Sequence, residues 1–503
     1  MATLPFMSTF PSTKKVSPIV YFIGFTAALA GLLFGLDVGV ISGAQIYIQR
    51  DLGVNDQMIE WIVSALLWGA VVGALGSGIL CKKLGRRGTL LASGLLFAVG
   101  AFFCAAAPNA LTLIIARLVL GLAVGIASFT APLYLAEIAP QSVRGGMISM
   151  YQLMITIGIL MAFLSDTFFA SLADGQIPLP SPTHGPGDYD AIHLKSFVLS
   201  MAASNESWRL MLGMIAFPAL VMFFGVLFLP ESPRWLVLNG MKEKASAVFK
   251  KLHLDEAEIA AEIREIEEST KIPQKGWSLF LENAHFRKAV FLGVGLQIVQ
   301  QLTGINVIMY YAPRIFGMAG FESTTEQMWG TVIVGLTNVL ATFIAIAFVD
   351  RLGRKPIMFA GFVVMGLALL AVGTIFHSGI EHNPGLGYWA AGALLLFIVG
   401  FAMSAGPIIW VICSEIFPLA GRDFGITCST GTNWITNAIV GMTFLSLVQG
   451  IGPGNTFLLY GAMNVFFIVF FIFLVPETKG ISLEHIERNL MAGKKLREIG
   501  RSF

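Results

Sequence analysis

Charge is what this chain has least of. Asp, Glu, Lys and Arg make up 12% of its 503 residues, against roughly 25% in an ordinary soluble protein. Lys and Arg number 32 and Asp and Glu 30, a formal net charge of +2, so there is no basic excess to act as a nucleic-acid footprint. Cysteine is equally scarce. Cys81, Cys104, Cys413 and Cys428 fall inside or at the edge of apolar runs, at no disulfide-framework or metal-ligand spacing, and read as packing residues. Histidine is missing from those runs, since His184, His193, His253, His285, His377, His382 and His485 all lie in loops or tails. Neither H-E-x-x-H nor a phosphate-cradling G-x-x-x-x-G-K-[ST] occurs, so neither a membrane-embedded metalloenzyme nor a nucleotide-driven pump is indicated. With 56% of residues hydrophobic, a soluble fold and a disordered chain are both excluded.

What the chain has is apolar length. The runs are Val20 to Ile41, Trp61 to Leu80, Thr89 to Ala107, Leu111 to Leu133, Met147 to Leu164 and Leu210 to Leu229, then Ala289 to Tyr311, Val332 to Val349, Ile357 to Phe376, Trp389 to Cys413, Ile426 to Val448 and Phe457 to Val475. Each is near the ~20 residues that cross hydrocarbon as a helix. They lack the alternation of barrel strands, so helices alone can satisfy their backbone groups. The first run is too long for a signal-peptide core and carries an acid, so it is not read as cleaved. The fold class expected is an all-α membrane protein with twelve transmembrane helices in two six-helix bundles. Its parts are residues 1–234, a cytoplasmic linker over 235–287, a second bundle over 288–478 and a tail over 479–503.

The basic residues orient the chain. With the N-terminus inside, the short inner loops carry Lys82, Lys83, Arg86, Arg87, Arg144, Arg351, Arg354, Lys355 and Arg422, whereas the outer loops carry Arg50, Lys195, Arg209 and Arg314. Lys and Arg collect on the cytoplasmic side, so both termini are expected there. The segment from Asn239 to Arg287, rich in Lys, Glu and Ala, reads as short amphipathic helices, and Asp166 to Trp208 reads as a long outer loop.

The halves repeat one another. Gly85-Arg86-Arg87 matches Gly353-Arg354-Lys355, and Glu137-x2-Pro140-x3-Arg144 matches Glu415-x2-Pro418-x3-Arg422 at identical spacing. Pro230-Glu231-Ser232 likewise matches Pro476-Glu477-Thr478. Charge bias explains the arginines but not the recurring Glu and Pro, and repeated halves mark transporters that rock two bundles about a central site.

With Pro230 to Arg234, Gln300-Gln301-Leu302-Thr303-Gly304-Ile305-Asn306 and Pro476-Glu477-Thr478-Lys479-Gly480, the chain resembles the sugar porter family of the major facilitator superfamily over nearly its whole length. The resemblance implies the major facilitator fold and import of a monosaccharide with a proton by alternating access. The sugar implied is galactose or a related hexose such as glucose, the membrane a bacterial inner membrane, and the working unit a monomer in the lipid bilayer. No cofactor is implied, the coupling ion being the proton itself. The alternatives are a facilitative uniporter and a symporter preferring xylose or arabinose. Two departures stand out: the loop from Asp166 to Trp208 is longer, and Lys82 stands where the superfamily usually has Asp.

Asp37 and Arg117 are charged residues deep in the apolar runs of the first half, and such residues are rare unless functional. Asp37 lies about seven residues below an outer end near Ala44 and Arg117 about seven below Ala110, so at 1.5 Å per residue both sit roughly 10 Å deep and can pair. Moving an arginine away from such an acid converts into proton uptake; a fixed ion pair between two helices is the plainer reading. The resemblance implies the proton role, since proton-coupled members carry Asp here and facilitative carriers Asn.

A sugar needs amides that both donate and accept, beside flat apolar surfaces. Gln297, Gln300, Gln301, Asn306, Asn338, Trp410, Asn433 and Trp434 in the second half, with Gln152 and Phe34 in the first, supply them. Taken singly these are equally well interhelical hydrogen-bonding glue; the resemblance implies that as a set they contact sugar. Gly304 with Pro313, and Gly406-Pro407, are expected to interrupt helices around the substrate. The resemblance makes Tyr310 and Tyr311 an outer gate. Arg86, Glu137 and Arg144 can pair with Arg354, Glu415, Arg422 and Asp350 across the inner side and latch the outward-open state.

Overall fold

The structure is a computed structural model. It describes residues 18–139, 144–175, 200–202, 204–252, 255–270, 276–380 and 385–500, apart from the side chains at 18, 144, 145, 269, 270 and 347–352. Among the described residues every regular element is helical, as hydrocarbon demands of backbone that must satisfy its own polar groups. The first half holds α1 (Pro18–Leu52), α2 (Asp56–Ala105), α3 (Ala110–Ile138), α4 (Arg144–Ala173), α5 (Ser207–Gly213) and α6 (Ala216–Leu227). Four short helices follow: α7 (Pro233–Leu238), α8 (Lys242–Lys251), α9 (Glu256–Thr270) and α10 (Gly276–Glu282). The second half holds α11 (Ala284–Leu302), α12 (Ile305–Met318), α13 (Thr324–Leu352), α14 (Arg354–His377), α15 (Gly385–Met403), α16 (Ala405–Glu415) and α17 (Arg422–Leu474), with α18 (Leu483–Met491) in the tail.

Ten of these stretches are long and apolar enough to cross a membrane. Two of them are twice the necessary length. The 50 residues of α2 would reach about 75 Å if straight, but Gly85 (φ 76°, ψ 176°) folds the helix back into two crossings. Gly452 (φ 82°, ψ 159°), followed by Pro453, does the same in α17. A residue with a Cβ is strained at such φ, and proline lacks the N–H that a continuing helix uses. Counting both arms of α2 and of α17 gives twelve crossings, the number of apolar runs.

Glycine sets how closely the first half packs. Gly31, Gly35, Gly39 and Gly43 recur every fourth residue along α1 and let it meet α4 backbone to backbone; a Cβ at Gly35 would strike the Ile155 carbonyl. Gly69 and Gly73 on α2 face Gly121 and Gly125 on α3 in the same way. Without a hydrophobic drive between helices in lipid, such small-residue faces supply the packing. The halves meet where α2 packs on α17, α4 on α13 and α1 on α12.

The internal repeat is physical. Glu231 accepts the N–H groups of Arg86 (2.8 Å) and Arg87 (3.1 Å), where the chain turns at Gly85. In the second half Glu477 accepts the N–H groups of Arg354 (3.1 Å) and Lys355 (2.8 Å), beyond Gly353. Each carboxylate satisfies donors that a helix start leaves unpaired, and its charge suits the positive helix end. Burial alone would push the Glu477 carboxyl up; the N–H groups of Lys355, Lys479, Arg354 and Thr478 outweigh it and hold the carboxyl below its ordinary 4.5.

Three boundaries differ from expectation. Helix α1 continues past Ala44 to Leu52, because Gln45, Gln49 and Arg50 find partners beyond the apolar layer. Helix α4 continues past Leu164 to Ala173, so Asp166 is a buried helix residue and not the start of a loop. The break in the tenth crossing falls at Ser404 (φ −130°, ψ −87°), and Gly406-Pro407 lies in the first turn of α16, where a missing N–H costs nothing.

Candidate functional site

The outer and inner ends of the bundle are named here by the orientation expected from the Lys and Arg distribution. Between them, on α1 and α3, lie Asp37 and Arg117. Arg117 Nη1 stands 3.9 Å from Asp37 Oδ1, with the two side chains 1% and 0% exposed. Arg117 Nε donates to the Ile62 carbonyl of α2 at 2.7 Å, which fixes the guanidinium from the far side. Neither oxygen of Asp37 accepts a hydrogen bond from a described residue. The pair is therefore an ion pair without hydrogen-bond support, and a buried pair of that kind adds little net stability. It is an arrangement whose energy changes when the acid gains or loses a proton. A second buried carboxylate lies on α4: Asp166 Oδ2 accepts the Gly43 N–H of α1 at 3.0 Å. It escaped the sequence reading because an apolar run was ended at the acid, although Thr167-Phe168-Phe169-Ala170 resumes it.

One turn from Asp37 on the same helix, Phe34 lies against Trp434 of α17, ring centroids 5.3 Å apart and planes at 51°. Beside Trp434, Asn433 Nδ2 donates to Gln297 Oε1 (2.7 Å) and to Gln300 Oε1 (2.8 Å). Gln300 Nε2 in turn donates to the carbonyls of Ala405 (2.8 Å) and Gly406 (3.2 Å) at the start of α16. These carbonyls lie just beyond the break at Ser404, which links the amide cluster to the interrupted crossing. Gln301 and Asn306 lie across the other break, where Gly304 (φ 94°) separates α11 from α12, and Asn306 Nδ2 donates to Gln301 Oε1. The structure thus brings together Gln297, Gln300 and Asn433, and separately Gln301 with Asn306. Gln152 on α4 and Asn338 on α13 belong to the other pair of helices at which the halves meet, and Trp410 on α16 is 39% exposed. Among the described residues no hydrogen bond joins these three to the amide cluster.

The hydrogen bonds that join the two halves among the described residues gather at the outer end. Gln45 Nε2 on α1 donates to the Tyr310 carbonyl at 2.7 Å. Tyr310 Oη donates to Asn437 Oδ1 at 3.1 Å and Tyr311 Oη to the Gly441 carbonyl at 2.8 Å, which seats both rings against α17. Further out, Arg314 pairs with Asp56 at 2.7 Å and donates to Gln49 Oε1 at 2.6 Å. Gln449 donates to Asp56 at 2.7 Å, and Glu60 accepts both the N–H (2.8 Å) and the hydroxyl (2.6 Å) of Ser446. Sequence reasoning named the tyrosines and missed Asp56, Glu60 and Arg314, which lie at the ends of apolar runs where a charge draws no notice.

At the inner end the pairs among the described residues stay within each half. Arg86 grips Glu137 through two contacts of 2.7 Å, and Ser232 Oγ donates to the same carboxylate at 2.5 Å. Arg354 pairs with Glu415 at 3.1 Å, and Arg422 donates to the Phe417 carbonyl at 3.4 Å. The side chains of Arg144 and Asp350 lie outside the described residues. Hydrogen bonds between the halves hold the outer end together, and at the inner end Arg86, Glu137, Arg354, Glu415 and Arg422 are engaged within their own halves.

The sugar (and other) transporter family model matches residues 23–490. The chain is 56% identical over 494 residues to the galactose-proton symporter of Escherichia coli strain K12, covering 97% of this chain and 99% of that one. It is 48% identical to the arabinose-proton symporter of the same strain, covering 95% of each. Among solved structures it is similar to the xylose transporter XylE of E. coli in a partially occluded inward-open conformation, with TM-score 0.76, 28% identity, and 93% of this chain and all of that one covered. An inward-open form of the same transporter gives TM-score 0.75.

Proposed function

The chain belongs to the sugar transporter family, with the major facilitator fold, and from that premise we propose that it carries a monosaccharide into the cell together with a proton. Galactose or a related hexose is the cargo, a reading supported by the higher identity to the galactose-proton symporter than to the arabinose-proton symporter. The proton is the coupling ion, and no cofactor takes part. The protein works as a monomer in a bacterial inner membrane with both termini cytoplasmic. Its bundles are residues 1–234 and 288–478, joined by a linker over 235–287 and followed by a tail over 479–503.

One observation supports the mechanism: α1 carries three sets of contacts on one rod. Phe34 meets the sugar-site ring Trp434, Asp37 faces Arg117, and Gln45 and Gln49 enter the outer clamp. When Asp37 takes a proton its attraction for Arg117 is lost, while Arg117 stays tethered to the Ile62 carbonyl. Helix α1 is then free to shift on its glycine face against α4. Such a shift separates Gln45 and Gln49 from α12 and opens the outer end, while Phe34 moves relative to Trp434 and the amides Asn433, Gln297 and Gln300. Sugar, meeting those amides with its hydroxyls and Trp434 with its C–H face, favours re-closure. Deprotonation toward the inner side restores the ion pair found in this outer-closed form. Arg86 with Glu137, and Arg354 with Glu415, brace the inner ends of each bundle and are positioned to exchange partners when those ends meet.

The test is sugar addition to lightly buffered, de-energised cells expressing the protein. Galactose should alkalinise the medium, glucose should do so by entering with a proton through the same site, and xylose or arabinose more weakly; uptake with no alkalinisation would mark a uniporter and sink the proposal.

A further inference from the structure

Helix α10 lies between the linker helices and α11, and its side chains are unusual for a segment outside the apolar runs. Its sequence is Gly-Trp-Ser-Leu-Phe-Leu-Glu. Trp277 and Leu281, four residues apart and so on one face, are 64% and 57% exposed. The opposite side is committed to protein: a Cβ at Gly276 would strike Phe424, and Leu279 borders Gly421. The exposed face is not an isolated patch. Trp277 stacks with Phe280 (centroids 6.0 Å, planes at 20°), Phe280 meets Phe291 of α11 at 6.1 Å, and Trp277 meets Phe424 of α17 edge-on at 5.6 Å. Phe291 is itself 64% exposed. It belongs to the face of α11 that also carries exposed Ile298 two turns on, in a helix that crosses the membrane. An exposed Lys288 sits one turn before Phe291 on that same face, while Arg287 donates to the Leu281 carbonyl at 2.6 Å and so closes the end of α10.

Continuity decides what covers this surface. The face of α11 that bears Phe291 is in contact with acyl chains if α11 spans the membrane, and the aromatic chain from Phe291 through Phe280 to Trp277 extends that contact outward without a break. Tryptophan with a lysine nearby is the composition that settles at the boundary between acyl chains and headgroups. We propose that α10 is a membrane-surface anchor, with Trp277 and Leu281 seated in the inner leaflet of the phospholipid bilayer and Lys288 at the level of the lipid phosphates. This rests on the membrane-spanning reading of α11. Because α10 packs on the first turn of α17 and is continuous with α11 through Asn283, the anchor would tie the inner end of the second bundle to the lipid surface while the first bundle rocks against it.

The depth of α10 can be measured directly. Trp277→Cys, Leu281→Cys, Glu282→Cys and Phe291→Cys are spin-labelled in full-length protein whose native Cys81, Cys104, Cys413 and Cys428 are replaced, then reconstituted in vesicles of phosphatidylcholine and phosphatidylglycerol. Labels at 277 and 281 should collide severalfold more with oxygen than with a water-soluble nickel chelate, as the label at 291 does, and the label at 282 should show the reverse. Labels at 277 and 281 that behave like the one at 282, with 291 still in lipid, overturn the anchor alone. A label at 291 that meets the nickel chelate overturns the membrane path of α11 itself. Should the cysteine-free protein not fold, the emission lost on Trp277→Phe in the native-cysteine protein answers the same question. Quenching of that emission by brominated phosphatidylcholine and not by iodide supports the anchor, and quenching by iodide refutes it.

Discussion

Asp37→Asn keeps the shape of the side chain and removes its charge at a position wholly buried and 3.9 Å from Arg117. Its consequence can be put in numbers. One proton moving with each sugar draws on the membrane potential, about 2.3 kcal/mol per 100 mV. At about 1.36 kcal/mol per factor of ten, that energy sustains roughly fiftyfold accumulation of sugar per 100 mV. A chain whose coupling group cannot bind a proton draws none of it, so the gradient should fall to equality. Exchange of labelled for unlabelled sugar should persist, because Phe34, Trp434, Gln300 and Asn433 are untouched. Losing the partner of a buried charge is destabilising, although the Ile62 carbonyl still holds Arg117 Nε; lower yield is expected, and transport is therefore compared at equal amounts of reconstituted protein. The assay is labelled galactose in proteoliposomes under a potassium diffusion potential of about −100 mV, beside counterflow at zero potential. A variant that concentrates galactose severalfold would refute the assignment and direct attention to Asp166, another carboxylate buried in this half.

Gln301→Ala should weaken sugar binding about tenfold, since one neutral hydrogen bond is worth about 0.5–1.5 kcal/mol and the loss also strands the Asn306 amide; titration calorimetry giving unchanged affinity would remove Gln301 from the site. Arg314→Ala cuts a partly exposed ion pair with Asp56 and a bond to Gln49, together about 1 kcal/mol after screening. It should therefore shift the population toward the outer-open form about fivefold, seen as longer spin-label distances across the outer ends, and an unaltered distance distribution counts against the clamp. Glu477 is held below its ordinary 4.5 by backbone donors, so its contribution to stability is fully present above that value and is lost as pH falls through the lower folded-state value. The gap in melting temperature between wild type and Glu477→Gln should be complete at neutral pH and close on acidification below 4.5; a gap that does not change with pH would show that the carboxylate is not the stabilising species.

Much of the candidate site is legible in the sequence because the membrane makes polar residues expensive. Asp37, Arg117 and the amides from Gln297 to Asn306 stand out against apolar neighbours, and an acid on one run at the same depth as an arginine on another suggests a pair even before a fold is known. The same reasoning failed where it assumed that a charge ends a crossing. Asp166 and Glu60 were placed outside the runs, yet both are buried in helices, one against a glycine N–H and one against Ser446 of the other half. A carboxylate that finds a donor across a helix interface can remain at membrane depth, and the donor is invisible in a linear sequence.

What the sequence determined by itself is local or repeated: twelve crossings from apolar length, and the duplicated Glu, Pro and Arg positions. Each depends on residues close together in the chain, or on the difference in free energy between hydrocarbon and water at a single position. Which partners the charged groups take was decided only by the tertiary structure. Arg86 could reach Glu137 of its own half or a repeat in the other, and spacing is silent between them; the closed outer end, with Arg314 on Asp56 and Ser446 on Glu60, draws the inner choice toward home. Residues hundreds of positions apart meet through the relative tilt of two rigid bundles, a property of their packed surfaces that no single segment encodes.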